Sequence, residues 1–260
     1  MKRATRPRPR RLATGVVLLA VAATLAACGD DDPTSSGGDG DSLTVLAASS
    51  LTDVFTARGE QFEADHDGVD VEFSFGSSTD LAEQAADGAP GDVLATADET
   101  AMTVAEDAGV VTDPATFATN VLVIVTPPDN PAGITTLADL EGDTWVRCAD
   151  DVPCGRVALA VLEAAGVDAE PASLEEDVRS TLDKVISGEA DAGLVYASDA
   201  VAAGDDVTTI PIAGAEDELT TYFIGALDQS GDSDLAGDWL DLVTGPDGQA
   251  ALTEAGFALP

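Results

Sequence analysis

"LTVLAASSLTDVF", residues 43–55, decides how this chain is read, because it joins two periodicities at a pair of hydroxyls. Leu43–Ala48 is a short apolar run with Thr44 its one polar residue, the pattern of a short buried strand. From Leu51 onward the apolar residues fall at helical spacing. Ser50 stands where a helix N-cap belongs, and Asp53 completes an S-x-x-D pattern like a capping box. As a cap, Ser50 contributes about 1 kcal/mol. A helix N-terminus also presents free N–H groups and a positive dipole end, so the same serine is placed to hold an anion.

The junction recurs at Phe75-Gly76-Ser77-Ser78-Thr79-Asp80-Leu81, where a strand ends, a glycine follows, and hydroxyls open a helix. Strand-like runs at 43–48, 69–76, 92–97, 121–127, 145–149, 192–197, 207–212 and 222–227 alternate with helical patterns. The helical stretches are 51–65, 79–86, 99–107, 156–165, 174–187 and 234–255, several ending at a glycine as C-caps do. Such alternation predicts an α/β fold with largely parallel sheets. The apolar run Val121–Pro127 leads into Pro127-Pro128 as if leaving one body for another, and Tyr222–Leu227 reads as the return. We therefore expect two lobes joined by two crossings, lobe I from 43–121 and 223–260 and lobe II from 122–222.

The chain opens with six Lys/Arg and no acid in residues 1–11, then an apolar run at Gly15–Ala27. That run is too short to span a bilayer and reads as a signal peptide, 1–27. Leu25-Ala26-Ala27-Cys28 resembles a bacterial lipoprotein signal, in which Cys28 becomes the lipidated first residue; an ordinary secretory signal is the alternative. Residues 28–42 are polar, Gly- and Asp-rich and aperiodic, and read as a disordered tether. Beyond residue 27 there remain 5 Lys/Arg against 49 Asp/Glu, net −44, a poor field for nucleic acid or an anionic membrane. Cys148 and Cys154, an even pair in an exported chain, are expected to form a disulfide. Zinc would need two further ligands, and His66 is the one histidine. It lies some 24 Å along a helix from Ser50, so the two cannot be a nucleophile and base. Neither G-x-S-x-G nor a P-loop occurs.

At this point the segments "AASSLTDVF", "FSFGSSTDLAEQAADGAPGDVLATAD", "VPCGRVALAVLEAAGV", "EEDVRSTLDKVISGEADAGLVYASDA" and "GPDGQAALTEAGF" resemble, in order, those of bacterial molybdate-binding proteins. These are the solute receptors of molybdate ABC importers, and the resemblance covers nearly all of 43–260. It implies a type II periplasmic-binding-protein fold, each lobe a mixed, mostly parallel sheet flanked by helices. It also implies an oxyanion held between the lobes by neutral donors and no enzymatic activity. Residue by residue, Ser50 and Ser78 match the two helix-opening serines. Cys154 and Val178 match backbone N–H donors, with cysteine standing where relatives often have alanine. Tyr196 matches a phenol that reaches the ligand. Ser49 and Ser77, adjacent to the serines, are expected to add amides or supporting bonds. Arg156 and Arg179 soften the local potential or pair with acids. No cofactor or bare metal ion is implied; the ligand is molybdate or tungstate. The partners are a membrane permease and its ATPase, the protein being a monomer held by the Cys28 lipid on the extracytoplasmic face of the membrane.

A dianionic oxyanion offers acceptors only, which amides and hydroxyls can satisfy without a counter-ion. About seven such bonds amount to roughly 10–20 kcal/mol gross, reduced by desolvation and lobe closure. Sulfate, thiosulfate or phosphate are the rival ligands, phosphate at neutral pH carrying a proton that a site of donors cannot accept. A hydrolase on the same fold is the rival of another class.

Overall fold

The computed structural model describes residues 41–260; the expected signal peptide, Cys28 and nearly all of the tether lie outside the described residues. Among the described residues, ten strands form two five-stranded sheets. Lobe I holds β1 (Ser42–Ala48), β2 (Asp70–Gly76), β3 (Val93–Thr96), β4 (Ala115–Asn120) and β10 (Thr220–Ala226), ordered β2-β1-β3-β10-β4. Lobe II holds β5 (Leu122–Thr126), β6 (Trp145–Cys148), β7 (Ser173–Glu175), β8 (Ala192–Tyr196) and β9 (Thr208–Pro211), ordered β7-β6-β8-β5-β9. In each sheet four strands run one way, and the fourth in spatial order is reversed, β10 in one and β5 in the other. Those reversed strands are the ones that follow a crossing. The first crossing is Val121, between β4 and β5; the second runs through 212–219 into β10.

The helices of lobe I are α1 (Thr52–Asp65), α2 (Ser78–Ala86), α3 (Glu99–Asp107), α7 (Ser233–Thr244) and α8 (Pro246–Glu254). Lobe II has α4 (Pro153–Ala165), α5 (Val178–Ile186) and α6 (Ala197–Ala203). β1 shows why its sequence is mostly apolar. Leu43, Val45 and Ala47 join the cluster around Phe55, Phe117 and Trp239 on one face, while Leu46 joins Leu81 and Met102 on the other. A strand covered by helices on both sides has no polar face to expose.

Several elements differ from the sequence reading. β4 and β7 were not expected: Ala115–Asn120 carries three Thr/Asn positions, and Leu174 was assigned to a helix. Leu174 instead pairs with Arg147 of β6, and α5 starts only after Asp177, whose side chain accepts the Ser180 N–H at 2.9 Å. The expected helix 234–255 is two helices, because Gly245 is extended and Pro246 opens α8 at its first position. α6 is seven residues and too short to show a period. At the opening stretch, Ser49–Leu51 is a turn of 3-10 helix and α1 begins at Thr52. Ser50 is therefore not an N-cap.

Candidate functional site

Five chain turns at the carboxyl ends of strands meet between the lobes, where open α/β sheets bind ligands. β1 delivers Ser49 and Ser50, β2 delivers Ser77 and Ser78, β6 leads to Pro153 and Cys154, β7 to Asp177 and Val178, and β8 ends at Tyr196. All of them line one cavity, with Ala48, Gly76, Ala97 and Val152. The structure thus brings together Ser50, Ser78, Cys154, Val178 and Tyr196, and Ser49 and Ser77 with them. The cavity measures about 20 Å³, room for a compact body about 6 Å across. No lysine or arginine is among its lining residues.

The serines are withheld from capping. Ser77 is the N-cap of α2, yet its side chain makes no capping bond, and its buried Oγ has no partner. Ser78 Oγ accepts the Ala97 N–H at 2.9 Å, so its own proton is free. Ser50 Oγ lies 2.8 Å from the Tyr222 phenol. The Tyr196 hydroxyl, on a residue 1% exposed, is also without a hydrogen-bond partner. Burial raises the pKa of both phenols well above the ordinary tyrosine value, so each stays an uncharged O–H. Ser78, Cys154 and Val178 lie in first turns of helices, where N–H groups have no intrahelical acceptor.

Cys148 and Cys154 form a disulfide, Cα–Cα 5.7 Å, that ties the end of β6 to the first turn of α4. The loop between them is tight. A Cβ on Gly155 would sit 1.7 Å from the Ala149 carbonyl oxygen, so only glycine permits this approach.

Arg156 and Arg179 do not line the cavity; both reach across the cleft. Arg156 of α4 contacts Asp98, the N-cap of α3, with Nε and Nη2 each 2.7 Å from Oδ2, and its Nη1 donates to the Asp151 carbonyl. Thr79 of α2 donates to that same carbonyl at 3.0 Å. Arg179 of α5 pairs with Asp53 of α1, while its Nε lies 3.0 Å from Asp199 of its own lobe, off hydrogen-bond alignment. Near the first crossing, Asn120 Nδ2 donates to Ser198 Oγ at 2.9 Å. These ties hold the lobes closed on each other.

Sequence reasoning missed Tyr222, Asp98 and Asp199. Tyr222 packs against Phe117, Tyr196 and Phe257, and no local pattern announces its bond to Ser50 across the chain. Asp199 is fully buried, accepts the Tyr196 N–H at 3.2 Å, and has its pKa pushed up to about 7 by burial, against the opposing pull of Arg179. The S-x-x-D habit of the sequence is absent there because the cap is a tyrosine. His66 sits at the far end of α1, bonded to the Phe62 carbonyl and stacked on Phe62, away from every serine of the site. It is half-buried.

The family model described as bacterial extracellular solute-binding protein matches residues 43–258. The molybdate-binding protein ModA of Mycobacterium tuberculosis is 40% identical over 256 residues, covering 96% of this chain and 98% of that protein. Among solved structures, the periplasmic molybdate-binding protein of Azotobacter vinelandii superposes with TM-score 0.75 at 22% identity, over 84% of this chain and 99% of that one. The sulfate-binding protein SubI of Mycobacterium tuberculosis superposes with TM-score 0.74 at 20% identity, over 84% and 86%. At such identities the structures establish the periplasmic-binding-protein fold, with its two helix-flanked sheets. Among the described residues no helix is long and apolar enough to cross a membrane. The chain belongs to the bacterial extracellular solute-binding protein family, with a binding rather than an enzymatic role.

Proposed function

We propose that this protein captures molybdate, and tungstate with it, between its two lobes and delivers the anion to an ABC importer. The observation that carries the proposal is a cavity between the lobes lined by no lysine or arginine, whose lining includes Ser77 and Tyr196, two residues with buried hydroxyls that lack a hydrogen-bond partner. Such groups are costly unless an acceptor arrives. A tetrahedral dianion supplies four acceptors in a body of the right breadth. In this reading Ser50, Ser78 and Tyr196 donate O–H groups, and Ser50, Ser78, Cys154 and Val178 donate backbone N–H groups. Ser77 is a further direct donor, and Ser49 supports the turn. The relatives' printed names support molybdate over sulfate; the superposition on a sulfate-binding protein supports only the shared fold.

Arg156 and Arg179 act on the lobes rather than on the anion, through Asp98 and Asp53. The working division is lobe I at 43–121 and 223–260, and lobe II at 122–222, with β10 crossing the second boundary. The proposal extends to a monomer tethered through residues 28–42 and a lipid on Cys28 after removal of 1–27, meeting a permease and ATPase at the membrane.

Isothermal calorimetry with molybdate, tungstate, sulfate and phosphate in parallel tests this. Heat from the first two and none from the last two is the expected outcome. Equal heat from sulfate would replace molybdate by sulfate as the ligand, and heat from none would remove the oxyanion reading.

A further inference from the structure

Beside the oxyanion cavity lies a larger groove of about 280 Å³, between α1 and α8 of lobe I and α6 of lobe II. The two spaces share only Ser50. The groove's size is near the lower end for small-molecule sites, and its walls are largely apolar, from Val54, Ala57, Val201, Ala251 and Phe257. The lobes touch along one edge, where Gly256 follows α8: a Cβ there would sit 2.8 Å from Val201 Cγ2 of α6.

Two arginines face this groove, and they differ. Arg179 is committed to Asp53 and Asp199. Arg58 of α1 is not committed. Among the described residues Arg147, Arg156, Arg179 and Lys184 each form an ion pair, whereas Arg58 forms none, and its buried Nε has no hydrogen-bond partner. In a chain with 49 Asp/Glu against 11 Lys/Arg, a lack of acids cannot account for that. Glu254, at the exposed rim of the groove, is not within ion-pair distance of it. An unpaired guanidinium beside an apolar wall is the chemistry that recognises a carboxylate carrying a hydrocarbon body.

We propose that the groove between α1, α6 and α8 is a second binding site, for a small organic monocarboxylate whose charge pairs with Arg58 and whose apolar body packs along Val54, Val201 and Phe257. Because its walls come from both lobes, such a ligand favours the closed arrangement, and it and the oxyanion strengthen each other's binding reciprocally.

Calorimetric titration of the purified protein with hexanoate and with 1-hexanol, each with and without saturating molybdate, tests this. Hexanoate should bind at one site at least about tenfold more tightly than the alcohol, the worth of a charge-assisted pair. Arg58→Gln should erase that preference while leaving the heat of molybdate binding unchanged. Ala202→Trp, at an exposed position lining the groove, should fill the space and weaken both probes. Absence of hexanoate binding under both conditions, or a carboxylate preference that survives Arg58→Gln, overturns the proposal. Either result stands whether or not molybdate itself binds.

Discussion

The Ser50 hydroxyl lies 2.8 Å from the phenol of Tyr222, a residue on the strand that returns to lobe I after the second crossing. With Tyr222 donating, the Ser50 proton is left to point into the cavity, just as the Ala97 N–H frees the proton of Ser78. With that direction of donation, both serines have protons to offer the proposed ligand. Tyr222→Phe should weaken molybdate binding about five- to tenfold, the worth of one neutral hydrogen bond. Calorimetry measures this, and circular dichroism should show the fold intact, since the ring stays packed on Phe117 and Phe257.

Ser77 gives the sharpest contrast between a cap and a ligand donor. Its hydroxyl caps nothing and bonds to nothing. Ser77→Ala should cost molybdate affinity by roughly tenfold or more, as for a bond to a charged group. The ligand-free melting temperature should stay the same or rise, because an unsatisfied buried oxygen is removed. A fall of several degrees with unchanged affinity would make Ser77 structural.

Arg156 tests the latch between the lobes. Arg156→Gln breaks the contact with Asp98 and loosens the shared Asp151 carbonyl. Partly exposed ion pairs are worth up to about 1 kcal/mol, so the affinity should fall by no more than about fivefold, through a smaller closed population. Small-angle scattering of the ligand-free variant should show a larger radius of gyration than wild type, with the difference vanishing on saturation.

Asp199 makes stability depend on pH in an unusual direction. Its folded-state pKa, about 7, is raised above the ordinary 3.8 chiefly by burial, opposed by Arg179 and reinforced by Asp53 and Asp177. The folded protein therefore holds this proton more tightly than the unfolded chain. Its stabilising contribution is complete below about pH 4 and is lost as pH rises through 7. Urea unfolding from pH 5 to 8 should show the wild type losing stability relative to Asp199→Asn over that interval. Parallel curves for the two proteins would contradict the shift.

The disulfide should matter to both stability and binding. Closing so short a loop contributes about 2 kcal/mol on the chain-entropy account. Reduction should lower the melting temperature and weaken molybdate binding together, since Cys154 carries both the sulfur and the proposed N–H donor. Reduced and oxidised protein compared by calorimetry and thermal melting would show it.

Much of this was legible from local signals. β1 and α1 were marked by a change of period, and Ser50, Ser78, Cys154, Val178 and Tyr196 were singled out by their matching motifs; the structure brings these five to the lining of one cavity. What was not legible depends on distant partners. The pairing of Leu174 with Arg147 overrides a helical pattern, and in place of the expected Ser50 cap there is a 3-10 turn in which Ser50 bonds to Tyr222 from far along the chain. Pro246 at the start of α8 was a readable signal, since proline favours the first helical position, and it divides what looked like one helix. For Arg156 and Arg179 the sequence left two roles open, softening the potential near Cys154 and Val178 or pairing with acids, and the structure shows the pairing. Helical geometry carries them outward to acids of the opposite lobe.

A crystal structure of the molybdate complex tests the central claim most directly, that uncharged donors alone hold the anion. The expected result is an oxyanion with N–H and O–H donors from Ser50, Ser77, Ser78, Cys154, Val178 and Tyr196 at about 2.7–3.2 Å, and Arg156 and Arg179 still paired with Asp98 and Asp53. An arginine swung in to neutralise the anion, or a metal ion bridging it to Asp177, would contradict the account.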